Sequence, residues 1–352
     1  MPAARERAGS EGVLAILRSC LCAAARADLV VRRGDDVRFA RPLAAASSPF
    51  VPLVTRPTFR SALAREQPLV TPLAHDALSA RLIARAGFHA FTIGGSALLA
   101  SRYGLPDIGL VGLEDMVDGI RDIAAATSLP FMADGDDGYG DVKSVARTVE
   151  AYEALGVGGI LLEDQERERK QQRADKAQGV VDLEVIARKL RVALAVRRST
   201  ETLIIGRTDA YGVAGLDEAL RRGERYLALG ADGVFVAGLR TMHDFEAVGR
   251  AFRGATLLSA ALFEAPGMPW PTPRELGALG FTQVSYPATL VFRVTATIAD
   301  TLARLRRHAL GGEAMAPDAP ADARARLDDA LELSRWQAIE RGAQPDERGP
   351  ER

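Results

Sequence analysis

The sequence predicts an α/β fold, a (β/α)8 or TIM barrel, and three observations predict it. From Pro68 onward, eight short β-branched or apolar runs alternate with longer segments whose apolar residues recur every three or four positions. Several of the helical segments run into a glycine just before the next strand, as Ala86-Gly87, Leu155-Gly156 and Leu229-Gly230, which suits a left-handed helix terminus. The turn after the first strand, Leu73-Ala74-His75-Asp76, lacks the GxGxxG pattern that an open doubly wound sheet would carry there. Eight units within about 240 residues fit a closed barrel.

In order, the strands are expected at 69–73, 90–93, 131–134, 159–163, 203–207, 233–236, 256–259 and 283–286. The helical patterns that follow them cover 77–86, 113–127, 142–155, 183–196, 216–229, 242–252, 273–279 and 288–308. Residues 1–66, rich in Ala, Arg, Ser and Pro, have no sustained apolar period and are expected to form a weakly structured extension. The barrel is assigned to 67–308. Residues 309–352 form a C-terminal tail, rich in Gly, Ala, Pro and Asp before one more helical stretch at 321–340.

Composition narrows the function classes. With 45 basic and 46 acidic residues the chain has no cationic excess for a nucleic-acid backbone, and no nucleic-acid partner is expected. No apolar run reaches the ~20 residues of a membrane span, so no membrane partner is expected either. The apolar stretch 13–25 is broken by Arg18 and preceded by mixed charges, which reads as a weak amphipathic helix; the expected location is cytoplasmic. Cys20 and Cys22 have no companions at metal-ligand spacing, so neither a disulfide framework nor a zinc site is expected.

In a (β/α)8 barrel the chemistry lies at the C-terminal ends of the strands. Here those ends read His75-Asp76, Asp134-Gly-Asp136-Asp137, Glu163-Asp164-Gln165 and Arg207-Thr208-Asp209, whereas the sixth and seventh end in Ala237-Gly238 and Ala260-Ala261. Asp134 and Asp136, two apart, would share a face of an extended strand, with Gly135, Gly138 and Gly140 allowing a tight turn. Clustered carboxylates repel unless a cation sits among them, and all-oxygen ligation suits Mg2+. A surface Asp-Gly turn capping the next helix is the alternative. Glu163, a carboxylate closing a neighbouring apolar strand, favours the metal. Arg207 also closes an apolar strand and needs an anion, from the protein or from a substrate.

The segments Leu69-Val-Thr-Pro-Leu-Ala-His-Asp-Ala-Leu-Ser-Ala-Arg, Gly104-Leu-Pro-Asp-Ile-Gly, Ala133-Asp-Gly-Asp-Asp-Gly-Tyr-Gly, Glu163-Asp-Gln and Gly206-Arg-Thr-Asp-Ala together resemble the isocitrate lyase and phosphoenolpyruvate mutase superfamily. The resemblance runs from about residue 68 to 308, and its small lyase and phosphonomutase members are the most similar. It implies a Mg2+-dependent barrel, with Mn2+ as the substitute ion, that swaps its last helix with a neighbour and assembles as a homotetramer. It implies Asp134 as direct metal ligand, with Asp107, Asp136 and Glu163 holding metal-bound waters. Arg207 resembles the arginine that binds the substrate oxyanion. Gly94, Gly95 and Ser96 resemble the segment whose amides hold the carboxylate of a small oxo-acid.

Two departures stand out. The lyases carry Lys-Lys/Arg-Cys-Gly-His on the loop after strand four, where this chain reads Glu-Arg-Glu-Arg-Lys-Gln-Gln-Arg over 166–173. The cysteine position falls near Gln171. Arg169, Lys170 and Gln171 take the catalytic positions and Arg173 a substrate-binding one, on a loop expected to close over a dianionic ligand, the alternative being a solvated charged loop. Ala237 and Ala260 stand where the lyases place Glu and Asn, which implies a smaller or more apolar leaving group. His75 replaces an aromatic residue. The expected function is carbon–carbon bond cleavage or formation beside a 2-oxo or 2-hydroxy carboxylate through an enolate. The alternatives are a phosphorus–carbon mutase or a phosphonopyruvate or oxaloacetate hydrolase, and a non-catalytic barrel that binds a metal carboxylate.

Overall fold

The structure, a computed structural model, describes residues 57–170, 179–317 and 319–343. Eight parallel strands, β1 Leu69–Pro72, β2 Phe91–Ile93, β3 Phe131–Asp134, β4 Gly159–Glu163, β5 Leu203–Thr208, β6 Gly233–Val236, β7 Leu257–Ala261 and β8 Gln283–Tyr286, form one sheet. Its order, β1-β8-β7-β6-β5-β4-β3-β2, leaves β1 and β2 at the two ends. A parallel bridge between Leu73 and Thr92 joins those ends, with the Ala74 amide donating to the Thr92 carbonyl at 3.0 Å, so the sheet closes as a TIM barrel. Side chains reinforce this seam from within: the buried Thr92, Thr71, Gln283 and Ser259 are linked in a hydrogen-bonded chain from β2 to β7.

Around the barrel lie α1 Phe59–Arg65, α2 Ala77–Arg85, α3 Gly95–Tyr103, α4 Leu113–Ala125, α5 Val142–Ala154, α6 Leu183–Val196, α7 Ala210–Ala214, α8 Leu216–Ala228, α9 Met242–Ala251, α10 Pro273–Leu279 and α11 Thr289–Gly311, followed by α12 Ala323–Ala330 and α13 Leu333–Ala343. Local chemistry sets their ends. Asp76 and Ser79 form a reciprocal cap on α2, and Asp141 accepts from two amides at the start of α5. Gly87, Gly156 and Gly230 sit just past their helices with φ of 86°, 79° and 97°, as the sequence predicts. The core has two layers: alternate strand residues such as Met132, Leu161, Leu203, Ile205 and Phe235 fill the barrel, and the residues between them pack outward on the helices.

Several elements differ from expectation. α1 falls inside the expected extension, yet Phe59, Ala62 and Leu63 are buried in the inner core. Arg60 of the same helix bonds Asp232 and the Thr200 carbonyl, both on loops that lead into strands, so α1 plugs the N-terminal end of the barrel. Seven residues offer too few apolar positions to register as a period. The barrel unit therefore begins at or before Phe59, not at 67. α3 was hidden because Gly94-Gly95-Ser96 reads as a loop. The tail helix expected at 321–340 is two helices, broken at Glu332 with φ 56°. α11 buries none of its 23 residues and leaves Phe292, Ile298, Leu302 and Leu305 exposed. Among the described residues no helix is long and apolar enough to cross a membrane.

Candidate active site

The acidic cluster is made by a turn rather than by strand alternation. β3 stops at Asp134; the Gly135 amide then donates to the Leu161 carbonyl at 2.8 Å, and a Cβ on Gly135 would lie 2.8 Å from that same oxygen. Asp136 adopts a left-handed conformation, φ 46°, and its carbonyl accepts from the Glu163 amide at 2.8 Å. The result is that carboxylate oxygens of Asp134, Asp136 and Glu163 lie within 4.8 Å of one another. Asp107, on the loop after α3, joins them. A Cβ added to Gly95 would meet oxygens of Asp134, Asp136 and Asp107 at 3.5, 3.7 and 3.8 Å, so the start of α3 lies against the same point. The amides of Gly94, Gly95 and Ser96 open that helix, and Gly95 N–H donates to Asp134 Oδ2 at 3.4 Å.

Two cations enter from opposite sides. Arg207 lies 2.8 Å from Glu163 Oε2, grips Asp209 with two bonds of 2.9 and 3.0 Å, and stands over the Phe235 ring at 5.6 Å. Its anionic partners are therefore the protein's own. Lys170 Nζ lies 3.0 Å from Asp107 and 3.4 Å from Glu163, and also pairs with Asp136. Arg167, three residues earlier, is tied to Asp137 at 3.0 Å and to the Val111 carbonyl, while Lys189 holds Asp137 from the other side at 3.1 Å. Beneath Arg207, the buried Asp164 accepts from Thr208 at 2.7 Å, from the Asp209 amide at 2.9 Å, and from Arg222 and Tyr226.

Burial, together with the neighbouring carboxylates, pushes Asp134 up to about 6. Burial likewise lifts Asp136 to about 6, against the pull of Lys170. Burial also opposes ionisation of Glu163, but Arg207 and Lys170 outweigh it and hold that carboxyl below its usual range. The Lys170 ammonium, buried as it is, is held protonated by the four carboxylates around it. An all-oxygen donor set that resists being charged together, with an ammonium already among it, fits a hard divalent cation.

The structure thus gathers Asp107, Asp134, Asp136, Glu163, Arg207, Lys170 and the Gly94-Gly95-Ser96 amides, all named from the sequence. It does not bring Arg169 to them: that side chain is exposed and paired with Glu166 at 3.1 Å. Gln171 and Arg173 lie outside the described residues. Asp137, Asp164 and Asp209 are named from the sequence only as members of the strand ends, with no role, and Lys189 is not named at all. Asp209 carried a signal, two places after a buried Arg on one strand end; Lys189 carried none, since it sits on an ordinary amphipathic helix.

The opposite wall is apolar. Phe235, Ala237 and Ala261 face inward, and Trp270 packs on Tyr286 with ring centroids 5.4 Å apart. Ala260, named from the sequence as the residue at the end of strand seven, is instead turned outward against Val234, Leu258 and Val284. β7 runs two residues further than expected, and the alternation of faces makes Ala261 the inward one. His75, just past the end of β1, is buried with Nδ1 lacking a protein partner.

The chain matches the family described as phosphoenolpyruvate phosphomutase over residues 59–306. It is 34% identical over 252 residues to 2,3-dimethylmalate lyase of Eubacterium barkeri, covering 72% of this chain and 86% of the relative. It is 35% identical over 232 residues to 2-methylisocitrate lyase of Halalkalibacterium halodurans, covering 66% and 75%. Its fold is similar to that of oxaloacetate acetylhydrolase bound to 3,3-difluorooxalacetate, with a TM-score of 0.73 at 30% identity over 82% of this chain and 96% of the other. These likenesses, over the span that carries every element of the site, show that the chain belongs to the phosphoenolpyruvate phosphomutase family, within the isocitrate lyase and phosphoenolpyruvate mutase superfamily.

Proposed function

We propose that the chain is a Mg2+-dependent lyase, Mn2+ substituting, that cleaves or forms a carbon–carbon bond next to a 2-oxo or 2-hydroxy carboxylate through an enolate. The observation that carries this reading is the convergence of Asp134, Asp136 and Glu163 within 4.8 Å, with Arg207 beside them. Asp134 would hold the ion directly, with Asp107, Asp136 and Glu163 holding its waters; when bound, Mg2+ supplies Lewis-acid stabilisation of an enolate oxygen. The Gly94, Gly95 and Ser96 amides would take the substrate carboxylate at the start of α3. Arg207 is positioned for the developing oxyanion by Glu163 and Asp209, and its burial makes each hydrogen bond it donates stronger than in water. The apolar wall of Phe235, Ala237 and Ala261 suits a departing portion that carries alkyl groups rather than a second carboxylate, in keeping with 2,3-dimethylmalate lyase among the relatives.

A second reading, phosphorus–carbon bond chemistry, is favoured by Gln171 in the place of the lyase cysteine. Product analysis separates them. With Mg2+, 2,3-dimethylmalate is expected to yield pyruvate, and a chelator is expected to stop it. Phosphate released from phosphonopyruvate, or its conversion to phosphoenolpyruvate, would establish the second reading. No product from either compound, from 2-methylisocitrate or from oxaloacetate would leave a binding barrel.

The chain is further proposed to assemble as a homotetramer through α11, whose apolar row finds no cover among the described residues of its own barrel. Light scattering tests this: a monomer at micromolar concentration would remove the proposal.

A further inference from the structure

Lys170 reaches the carboxylates that would hold a metal's waters. An ammonium has three N–H donors, and three carboxylates meet this one: Asp107 at 3.0 Å, Glu163 at 3.4 Å, and Asp136. The side chain is only 8% exposed. These are the three carboxylates that the metal reading assigns to metal-bound waters, which would donate O–H bonds to the oxygens that now accept from the ammonium. Asp134, assigned as the direct ligand, pairs with Arg207 at 3.9 Å instead. The turn that delivers Lys170 is itself fastened, since Arg167 is tied to Asp137 and the Val111 carbonyl and lies over the Tyr139 ring.

We propose that Lys170 is a tethered competitor of the divalent cation: its ammonium occupies the carboxylate oxygens that the hydrated face of the ion needs, so the ion enters as Lys170 leaves. The inference rests on the metal reading above. The two compete because the oxygens that face the ammonium are those the ion's waters would donate to, and like charges a few ångströms apart repel. Without the ion, Lys170 keeps four crowded carboxylates from repelling one another. With it, the ammonium is released toward the barrel mouth, where a substrate's negative charge would next be met. Loading is therefore an exchange, and the apparent affinity for the ion is lower than that of the same cage emptied of its lysine.

The test compares Mn2+ binding by calorimetry in the wild type, Lys170→Met and Asp134→Ala. Lys170→Met is expected to bind Mn2+ about tenfold more tightly, the equivalent of losing one charge-assisted competitor. It is also expected to melt lower than the wild type in chelator and to recover in Mn2+. Should Lys170→Met not fold without metal, the wild type decides alone: acetylation by acetic anhydride, read by peptide mass spectrometry, is expected to spare Lys170 in chelator and to mark it in saturating Mn2+. Unchanged or weaker Mn2+ binding by Lys170→Met, or labelling of Lys170 indifferent to Mn2+, overturns the exchange while Asp134→Ala still reports an intact metal site. If neither the wild type nor Lys170→Met binds Mn2+, the metal site falls and the exchange falls with it.

Discussion

Glu163 and Arg207 occupy paired positions on β4 and β5, and the guanidinium Nη1 lies 2.8 Å from Oε2 of the carboxylate. Opposite charges thus meet across the sheet at the mouth of the barrel, with the carboxylate side chain 1% exposed. Removing one partner leaves the other charged and buried. Arg207→Met is therefore expected to destabilise the protein by about 3–5 kcal/mol in thermal or urea melts. Arg207→Lys keeps a charge near Glu163 but loses the two-pronged grip on Asp209; it should fold, with kcat/KM falling about 100-fold.

A ligand that binds only the folded state raises its melting temperature by mass action. Saturating Mg2+ is expected to raise that of the wild type, and Asp134→Ala to abolish the rise while leaving the chelated protein folded. An equal rise in both would remove Asp134 as a ligand.

Because burial lifts the Asp134 carboxyl from 3.8 to about 6, the folded state holds its proton more tightly than the unfolded chain does. Its contribution to stability is present below about pH 4 and is lost as pH rises through about 6. Asparagine cannot ionise and escapes that loss. In chelator, Asp134→Asn should be more stable than the wild type at pH 7.5 by about 3 kcal/mol, a gap that closes by pH 4. A gap independent of pH would show that the carboxyl is not the cause.

The inward positions Ala237 and Ala261 set the character of the far wall. Ala261→Asn should move the ratio of kcat/KM toward 2-methylisocitrate and away from 2,3-dimethylmalate, since an amide on this wall penalises an alkyl group and can donate to a carboxylate. Ala260→Asn, on the outward face, should instead lower stability without moving that ratio.

Phe59 is fully buried at the closed end of the barrel. Phe59→Ala is expected to cost about 3–5 kcal/mol in a denaturant melt. Deleting residues 1–56, which lack an apolar period, should leave the melting temperature within a few degrees, whereas deleting through 66 should leave the barrel insoluble.

Strands such as Gly159–Glu163 and Gly233–Val236 were legible to the residue because a buried parallel strand is a short apolar run between turn residues. The carboxylates and Arg207 were legible for the converse reason, charge closing an apolar run. What escaped was set by the third dimension. The end of β7 was placed two residues early, and since faces alternate, an odd-numbered neighbour, Ala261, took the role given to Ala260. Asp136 reaches Asp134 through a left-handed turn that no alternation describes. Lys170 sits in a run of charges that reads as a solvated loop, and only the folded turn after β4 shows that its ammonium points inward while the guanidinium of Arg169, one residue away, points out.

The wall of the barrel is not uniformly hooped. Main-chain ladders join each strand to the next from β2 round to β1, but between β1 and β2 one bridge, with the Ala74 amide bond to Thr92, and the Thr92–Thr71 hydroxyl bond do the joining, and Gln283 and Ser259 continue that side-chain line behind β1. A ladder resists sliding because many bonds must break at once; a line of hydroxyls and one amide can re-pair after a small slip. The seam is also where α3 begins, so the amides of Gly94, Gly95 and Ser96 ride on the compliant side while Glu163 and Arg207 are held on the rigid one. On the proposed reading, the distance between the amides that would take a carboxylate and the guanidinium that would meet its oxyanion spans this seam, and Thr71→Val is the substitution expected to slacken it.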